Sequence, residues 1–238
     1  MKHFLSRFPQ ILTITLLSTL LAVGFWMLLP CTSGEAQAKT GNSTPMRELA
    51  SRVKVGDLVF IRIPNRLFLK VSEGSGSWTN HVGIIIDTSG PEPLVAESRV
   101  PRASADSLSE FIGRSANGRT AIRRLPRELS AAEQQALGQA ARKRFGSLYD
   151  LGFDLQSSRE VCSNYVREVL AEASGELVGE PESFARLLAR HPDTDQRFWK
   201  WWFHGNIPWQ RETITPASQY ESPKLRTVFD GRVVADSK

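Results

Sequence analysis

Hydrophobic and polar positions follow two different periods along this chain, and the change of period divides it. Between residues 55 and 125 the apolar positions come in short β-branched runs bounded by turn-forming residues; beyond residue 130 they recur at helical spacing. Val55-Gly56-Asp57-Leu58-Val59-Phe60-Ile61-Arg62-Ile63 reads as a strand entered from a Gly-Asp turn. His81 to Asp87 reads as a second strand, Leu94 to Arg99 as the strand returning after Ser89-Gly90-Pro91-Glu92-Pro93, and Thr120 to Leu125 as a further one. Residues 64–80, with Gly74, Ser75, Gly76 and Ser77, read as a mobile loop. Two capping boxes, Ser107-Leu108-Ser109-Glu110 and Ser130-Ala131-Ala132-Glu133, predict helices near 107–113 and 130–145. The spacing of Val161, Tyr165, Val166, Val169 and Leu170 predicts a helix reaching to about Gly175, and Pro181 opens another that ends near Arg190. Strands gathered first and helices afterwards argue for an α+β domain with an antiparallel sheet packed against helices, not alternating βαβ units.

The N-terminal pattern is of another kind. Lys2, His3 and Arg7 precede an uncharged run from Ile11 to Pro30, and Ala36-Gln37-Ala38 then offers a small-x-small cleavage site. Residues 1–38 read as a signal peptide or an N-terminal membrane anchor. Either role places the remainder outside the cytoplasm, periplasmic or anchored to the inner membrane and facing the periplasm. Residues 39–52 read as a linker, polar to Pro45 and leading into a short helix near 46–53. Residues 53–238 read as one domain that ends in a Trp-rich arm, 191–238. In that arm Phe198-Trp199-Lys200-Trp201-Trp202-Phe203 is apolar nearly all round a helix. It suits either a C-terminal arm packed on the core or a membrane-surface foot.

Of the formal net charge of +5, residues 1–38 contribute +1 through Lys2, Arg7 and Glu35, so +4 is left, spread without a dense basic run. That distribution fits anionic envelope surfaces and gives no footprint for nucleic acid.

The chain has two cysteines, Cys31 and Cys162, and cleavage after Ala38 leaves Cys162 as a solitary thiol in an exported protein. Cys162 falls in the first turn of its predicted helix, where unpaired N–H groups and the positive end of the macrodipole favour thiolate. A thiolate needs a base, and beyond the leader the histidines are His81, His191 and His204. His81 opens a strand just after a Gly/Ser-rich stretch, and Glu97 lies on the returning strand. An even pairing sum between those strands puts His81 and Glu97 on one sheet face, opposite or diagonal, and gathers Val82, Ile84, Ile86, Leu94 and Ala96 on the other. The expected constellation is Cys162 as nucleophile, His81 as base and Glu97 as its orienting group. Tyr149, Asn80, Ser163 and Asn164 are the candidate substrate contacts. His191 and His204 have no Cys, Asp or Glu at ligand spacing, so neither a metal site nor a cofactor is expected.

Val55-Gly56-Asp57-Leu58-Val59-Phe60, Asn80-His81-Val82-Gly83-Ile84, Glu97, Tyr149-Asp150-Leu151-Gly152-Phe153, Cys162-Ser163 and Ile214-Thr215-Pro216 occur in the order seen in the YaeF/YiiX family, which this chain resembles. The resemblance implies a permuted papain-like, NlpC-type fold with histidine before cysteine in the chain. It also implies amidase activity through Cys162, His81 and Glu97. Two positions depart from the family pattern: Asn164 stands where Cys-Ser is usually followed by Glu, and Asn80 where a serine often precedes the histidine. The expected substrate is an amide of the cell envelope, either a cell-wall peptide or an acyl amide. A lipid-directed acyl hydrolase or acyltransferase, and a binding module without turnover, are the alternative readings of the same cleft.

Overall fold

The computed structural model describes residues 43–236, so the leader, its cleavage site and Cys31 lie outside the described residues. In chain order the elements are β1 (Ser43–Pro45), α1 (Met46–Ala50), β2 (Leu58–Ile61), α2 (Arg66–Ser75), β3 (His81–Asp87), β4 (Leu94–Glu97), β5 (Ser104–Ser107) and α3 (Leu108–Gly113). Then come β6 (Arg119–Arg124), α4 (Ala131–Lys143), α5 (Cys162–Ser174), β7 (Glu182–Ser183), α6 (Phe184–Arg190), α7 (Gln196–Trp202), β8 (Glu212–Thr213), α8 (Pro216–Tyr220) and β9 (Arg226–Val234). Seven strands form one sheet in the order β1-β9-β6-β2-β3-β4-β5, antiparallel except for the parallel β1–β9 edge, and β7 pairs with β8 apart from it. No helix among the described residues is long and apolar enough to cross a membrane.

Alternation along β2, β3 and β4 gives the sheet two apolar faces. Leu58, Phe60, Val82, Ile84, Ile86 and Ala96 point to one face and are covered by α4 and α5 through Leu137, Ala141, Tyr165, Val166 and Leu170. Val59, Ile61, Ile85 and Val95 point to the other, covered by Leu49 of α1 and by Leu108, Phe111 and Ile112 of α3. A third cluster joins Tyr149, Phe153 and Val161 to Phe184, Leu188, Phe198 and Trp199 of the C-terminal arm. The predicted pairing holds: Ile84 faces Ala96 and Ile85 faces Val95, an even sum, with the register slipping only beyond Ile85.

Both capping boxes are formed as their spacing requires, Ser107 with Glu110 and Ser130 with Glu133. Gly175 ends α5 in the left-handed conformation. The Gly-Asp turn before β2 is also explained. Gly56 has φ +92°, and a Cβ there would sit 2.6 Å from Leu129. The buried Asp57 receives Arg124 of β6 through two contacts of 2.5 and 2.6 Å.

Three expectations change. The stretch 64–80 is not an open loop but contains α2, started by the Asn65 side chain accepting from the Leu67 N–H and ended by Gly76 at φ +62°. Its small residues reflect close packing: a Cβ on Gly74 would lie 3.6–3.8 Å from Trp199, Leu188 and Thr194. The sheet is wider than the region 55–125 suggested, because β9 inserts beside β6 from the far end of the chain. Charged residues at the exposed positions of β9 hide its alternation, and Phe229 and Val233 are its buried residues. Ser43–Pro45, read as tether, is hydrogen-bonded to Arg232–Val234 and belongs to the sheet.

Candidate active site

The first turn of α5 carries Cys162. Val161 in extended conformation is the N-cap and offers no side-chain acceptor, so the first-turn N–H groups stay free for other work. The backbone N–H groups of Val82 and Ser163 lie close enough to the Cys162 sulfur to favour its charged form. Val82 can do so because β4 stops at Glu97, opposite Gly83 in the register, and the ladder on that side of β3 goes no further.

His81 and Glu97 are completely buried, and Nε2 of His81 lies 2.5 Å from Oε2 of Glu97. Extending the β3–β4 register makes Arg99 the residue opposite His81, so Glu97 reaches it diagonally along one face. The imidazole is clamped by aromatics. Phe111 stacks on it at 5.7 Å and 28° between planes, and Phe68 of α2 meets it edge-on at 5.7 Å. Gly83, two residues along the same face, makes room for this: a Cβ there would be 2.8 Å from the Phe111 ring and 2.5 Å from Val95. The His-Val-Gly sequence is therefore a seat for the ring as well as a strand.

Nδ1 of His81 is buried without a well-aligned partner, and the Cys162 thiol is the hydrogen-bonding group beside the ring. Such pairs are often loose before substrate enters. Burial opposes charge on both groups, yet their mutual attraction prevails. His81 is raised to about 9 despite its burial, by the charge and hydrogen bond of Cys162 and then those of Glu97. Burial would raise the Cys162 thiol, but the imidazolium and the two backbone N–H groups bring it below its ordinary value. Glu97, which burial would raise, is held at about 2 by its hydrogen bond and charge contact with His81 and by Arg114. All three shifts favour the charged forms: thiolate on Cys162, imidazolium on His81 and carboxylate on Glu97.

The sequence reading missed Arg114. It follows the last residue of α3 and grips both oxygens of Glu97, at 2.5 and 3.2 Å, with its guanidinium 4.9 Å above the Phe111 ring. Asp106 lies 3.5 Å behind it and is itself bound by Arg99 at 2.7 Å. Opposite charges thus alternate from the sulfur outward, Cys162, His81, Glu97, Arg114, Asp106, Arg99. The capping box at Ser107 was visible in sequence; that it aims the far end of α3 at Glu97 was not.

The candidate substrate contacts separate. Tyr149 is buried beside the sulfur, and burial followed by the sulfur's charge keeps its phenol protonated. Asn80 borders the same cavity, but its amide is occupied: Oδ1 accepts from Ile63 N–H at 2.8 Å and Nδ2 donates to Ile63 C=O at 3.1 Å. Ser163 donates its hydroxyl to the Ile214 carbonyl at 2.7 Å, and Gln219 donates to the Ser163 carbonyl at 2.9 Å. The late Ile-Thr-Pro segment is thereby tied to the tip of α5. Asn164 is half-buried and does not border the cavity. Among the described residues no three His, Cys, Asp or Glu side chains group as metal ligands.

A small cavity of about 30 Å³ lies beside the sulfur, walled by Cys162, Tyr149, Val71 and Gly74 of α2, Leu188 of α6 and Trp199 of α7.

A cysteine at a helix tip against a histidine and a carboxylate borne on a sheet, with the histidine strand earlier in the chain, defines the permuted papain-like class. The chain belongs to the permuted papain-like amidase family YaeF/YiiX, C92, whose profile matches residues 52–229. The uncharacterized protein YiiX of Escherichia coli (strain K12) is 26% identical over 175 residues, 74% of this chain and 85% of YiiX. The crystal structure of the metalloprotein yiiX from Escherichia coli O157:H7 is similar at a TM-score of 0.69 and 26% identity, over 75% of this chain and 98% of that one.

Proposed function

We propose that this protein is an exported thiol amidase that cleaves an amide of cell-envelope material through a thioester acyl-enzyme. The observation that carries the reading is the line of alternating charges that runs from Cys162 through His81 and Glu97 to Arg114. In the first half-reaction the Cys162 thiolate attacks the amide carbonyl, and Tyr149 O–H with the Ser163 backbone N–H is placed to donate to the developing oxyanion. The His81 imidazolium gives its proton to the leaving nitrogen as the C–N bond breaks. Water, deprotonated by the now neutral imidazole, then attacks the thioester; the C–S bond breaks, and the carboxylic acid leaves with the thiolate and imidazolium restored. Glu97 keeps the imidazole oriented and supports its charge throughout.

The location belongs to the same proposal. The basic-then-apolar pattern of residues 2–30 supports export, and Trp201, 69% exposed on α7, supports a site of action at a membrane surface. The test needs no guess of substrate: compare envelope extracts treated with the purified protein and with Cys162→Ala by mass spectrometry. New amine and carboxylate pairs present only with the wild type are expected. Identical extracts, together with a Cys162 that iodoacetamide labels no faster at pH 6 than a free thiol, would favour the binding-module reading.

A further inference from the structure

Helix α7 packs one side and leaves the other over. Phe198 and Trp199 are buried in the third apolar cluster with Phe184 and Leu188, and the Trp202 indole N–H donates to the Leu151 carbonyl at 2.9 Å. The other side carries Arg197, Lys200 and Trp201 and is continued by His204, a spacing that puts all four on one stripe. All four are exposed, and Trp201 at 69% is the most exposed large apolar side chain among the described residues. Trp201 also borders an open groove of about 600 Å³ together with Phe203, Pro208 and the exposed Leu151.

The charge around Trp201 is cationic. The Arg197 side chain is 98% exposed, with Asp195 as its ion-pair partner at 3.7 Å. That carboxylate is shared with Lys70 at 3.3 Å and with the first N–H groups of α7, which it caps. Arg66 of α2, also exposed, brings a third cation to the same helix, 6.0 Å from the Phe198 ring. At the groove Arg211 and Asp154 offset one another at 3.4 Å. An indole has an apolar body and a polar edge, and Lys and Arg carry their charge on long apolar stems. Side by side they suit the boundary of an anionic bilayer, the ring among the headgroups and the cations at the phosphates. A neutral glycan strand would stack on Trp201 and leave those cations without a partner.

Resting on the membrane-surface location proposed above, we propose that α7 is a docking foot for a bilayer carrying anionic lipid. Trp201 enters the headgroup layer, and Arg197, Lys200 and Arg66 face its phosphates. The hydrogen bond from Trp202 to Leu151 ties the foot to the segment that carries Tyr149, so docking sets the orientation of the catalytic domain toward the membrane.

The test uses the full chain and vesicles of brominated phosphatidylcholine, with or without phosphatidylglycerol, which quench tryptophans that enter the bilayer. Whatever Trp26 of the leader contributes is common to all variants, so the readout is the difference between the wild type and Trp201→Phe. With phosphatidylglycerol present the wild type is expected to lose more emission than Trp201→Phe. Each cation near an anionic surface is worth about fivefold in contact, so Arg197→Glu combined with Lys200→Glu is expected to remove the difference, and added salt to weaken it. Equal quenching of the wild type and Trp201→Phe would overturn the proposal. A difference just as large on phosphatidylcholine alone would overturn its anionic half. Retention on isolated cell-wall sacculi that Trp201→Ala abolishes, with Trp201 unquenched by vesicles, would assign the face to a glycan instead. Loss of the foot while the wild type, and not Cys162→Ala, still cleaves envelope amides would leave the amidase standing. A quenched Trp201 with unchanged extracts would do the reverse.

Discussion

At the scale of single residues, the chemistry depends on charges that survive burial only because each has a partner. Glu97 shows the balance. Its carboxylate sits near 2 instead of its ordinary 4.5, a difference of roughly 3 kcal/mol in favour of the folded state. Because that value is depressed, the contribution is present above pH 4.5 and is lost as pH falls towards about 2. His81 is raised from 6.5 to about 9, so its contribution is complete below pH 6.5 and disappears as pH rises through about 9. Urea unfolding followed across this range should show stability falling at both ends, and kcat/KM should fall along the alkaline limb near pH 9. A Glu97→Gln variant should flatten the acid loss. Arg114→Met tests a group outside the predicted constellation. With nothing left on its outer side, Glu97 should titrate higher, and the protein should lose about 3 kcal/mol or more of stability, as when one partner of a buried pair is removed. Arg114→Lys should restore the acid limb only in part, since an ammonium cannot hold both carboxylate oxygens.

At the scale of elements, the site is a set of junctions between strand ends and helix ends. β3 delivers His81 at its first residue, β4 delivers Glu97 at its last, α5 delivers Cys162 at its first, and α3 delivers Arg114 just past its end. Gly83 couples two of these, since only a residue without a side chain lets Phe111 of α3 lie against the imidazole. Gly83→Ala should cost about 1–3 kcal/mol through overpacking. It should also lower kcat more than it raises KM, because it moves the base. Ser163→Ala tests the junction between α5 and the Ile214 segment. It leaves a buried carbonyl without its donor, and a loss of about 1–3 kcal/mol in thermal or urea unfolding is expected.

At the scale of the whole molecule, the two ends of the described chain close the sheet while the middle carries the site. β9 lies between β1 and β6, so residues 226–234 support β6, which holds β2, which holds β3 and His81. Deleting residues 226–238 should therefore abolish cooperative unfolding altogether instead of trimming an arm, as circular dichroism melts can show. Asp57→Ala reaches the same chain of strands from within. It leaves Arg124 with a partly buried, unpaired charge, and a destabilisation of about 3 kcal/mol or more is expected with the reacting groups themselves untouched. In the Trp-rich arm Phe198 and Trp199 are buried against the core, while Trp201 faces outward.

Much of this was determined by local rules that act within a few residues. Alternation set the strands, Ser-x-x-Glu spacing set two helix starts, and the even pairing sum that gathers the apolar residues on one face put His81 and Glu97 together on the other, because a strand can show a side chain only to one side or the other. The helix start placed Cys162 where N–H groups converge, for an equally local reason. What took the tertiary structure was every relation between elements distant in the chain. It turned the small residues of 64–80 from an open loop into a close-packed helix, brought β9 back into the sheet, and occupied the amides and hydroxyls of Asn80 and Ser163. It also placed Arg114 behind Glu97. Such contacts depend on where chain ends meet in space, and no spacing along the sequence encodes that meeting.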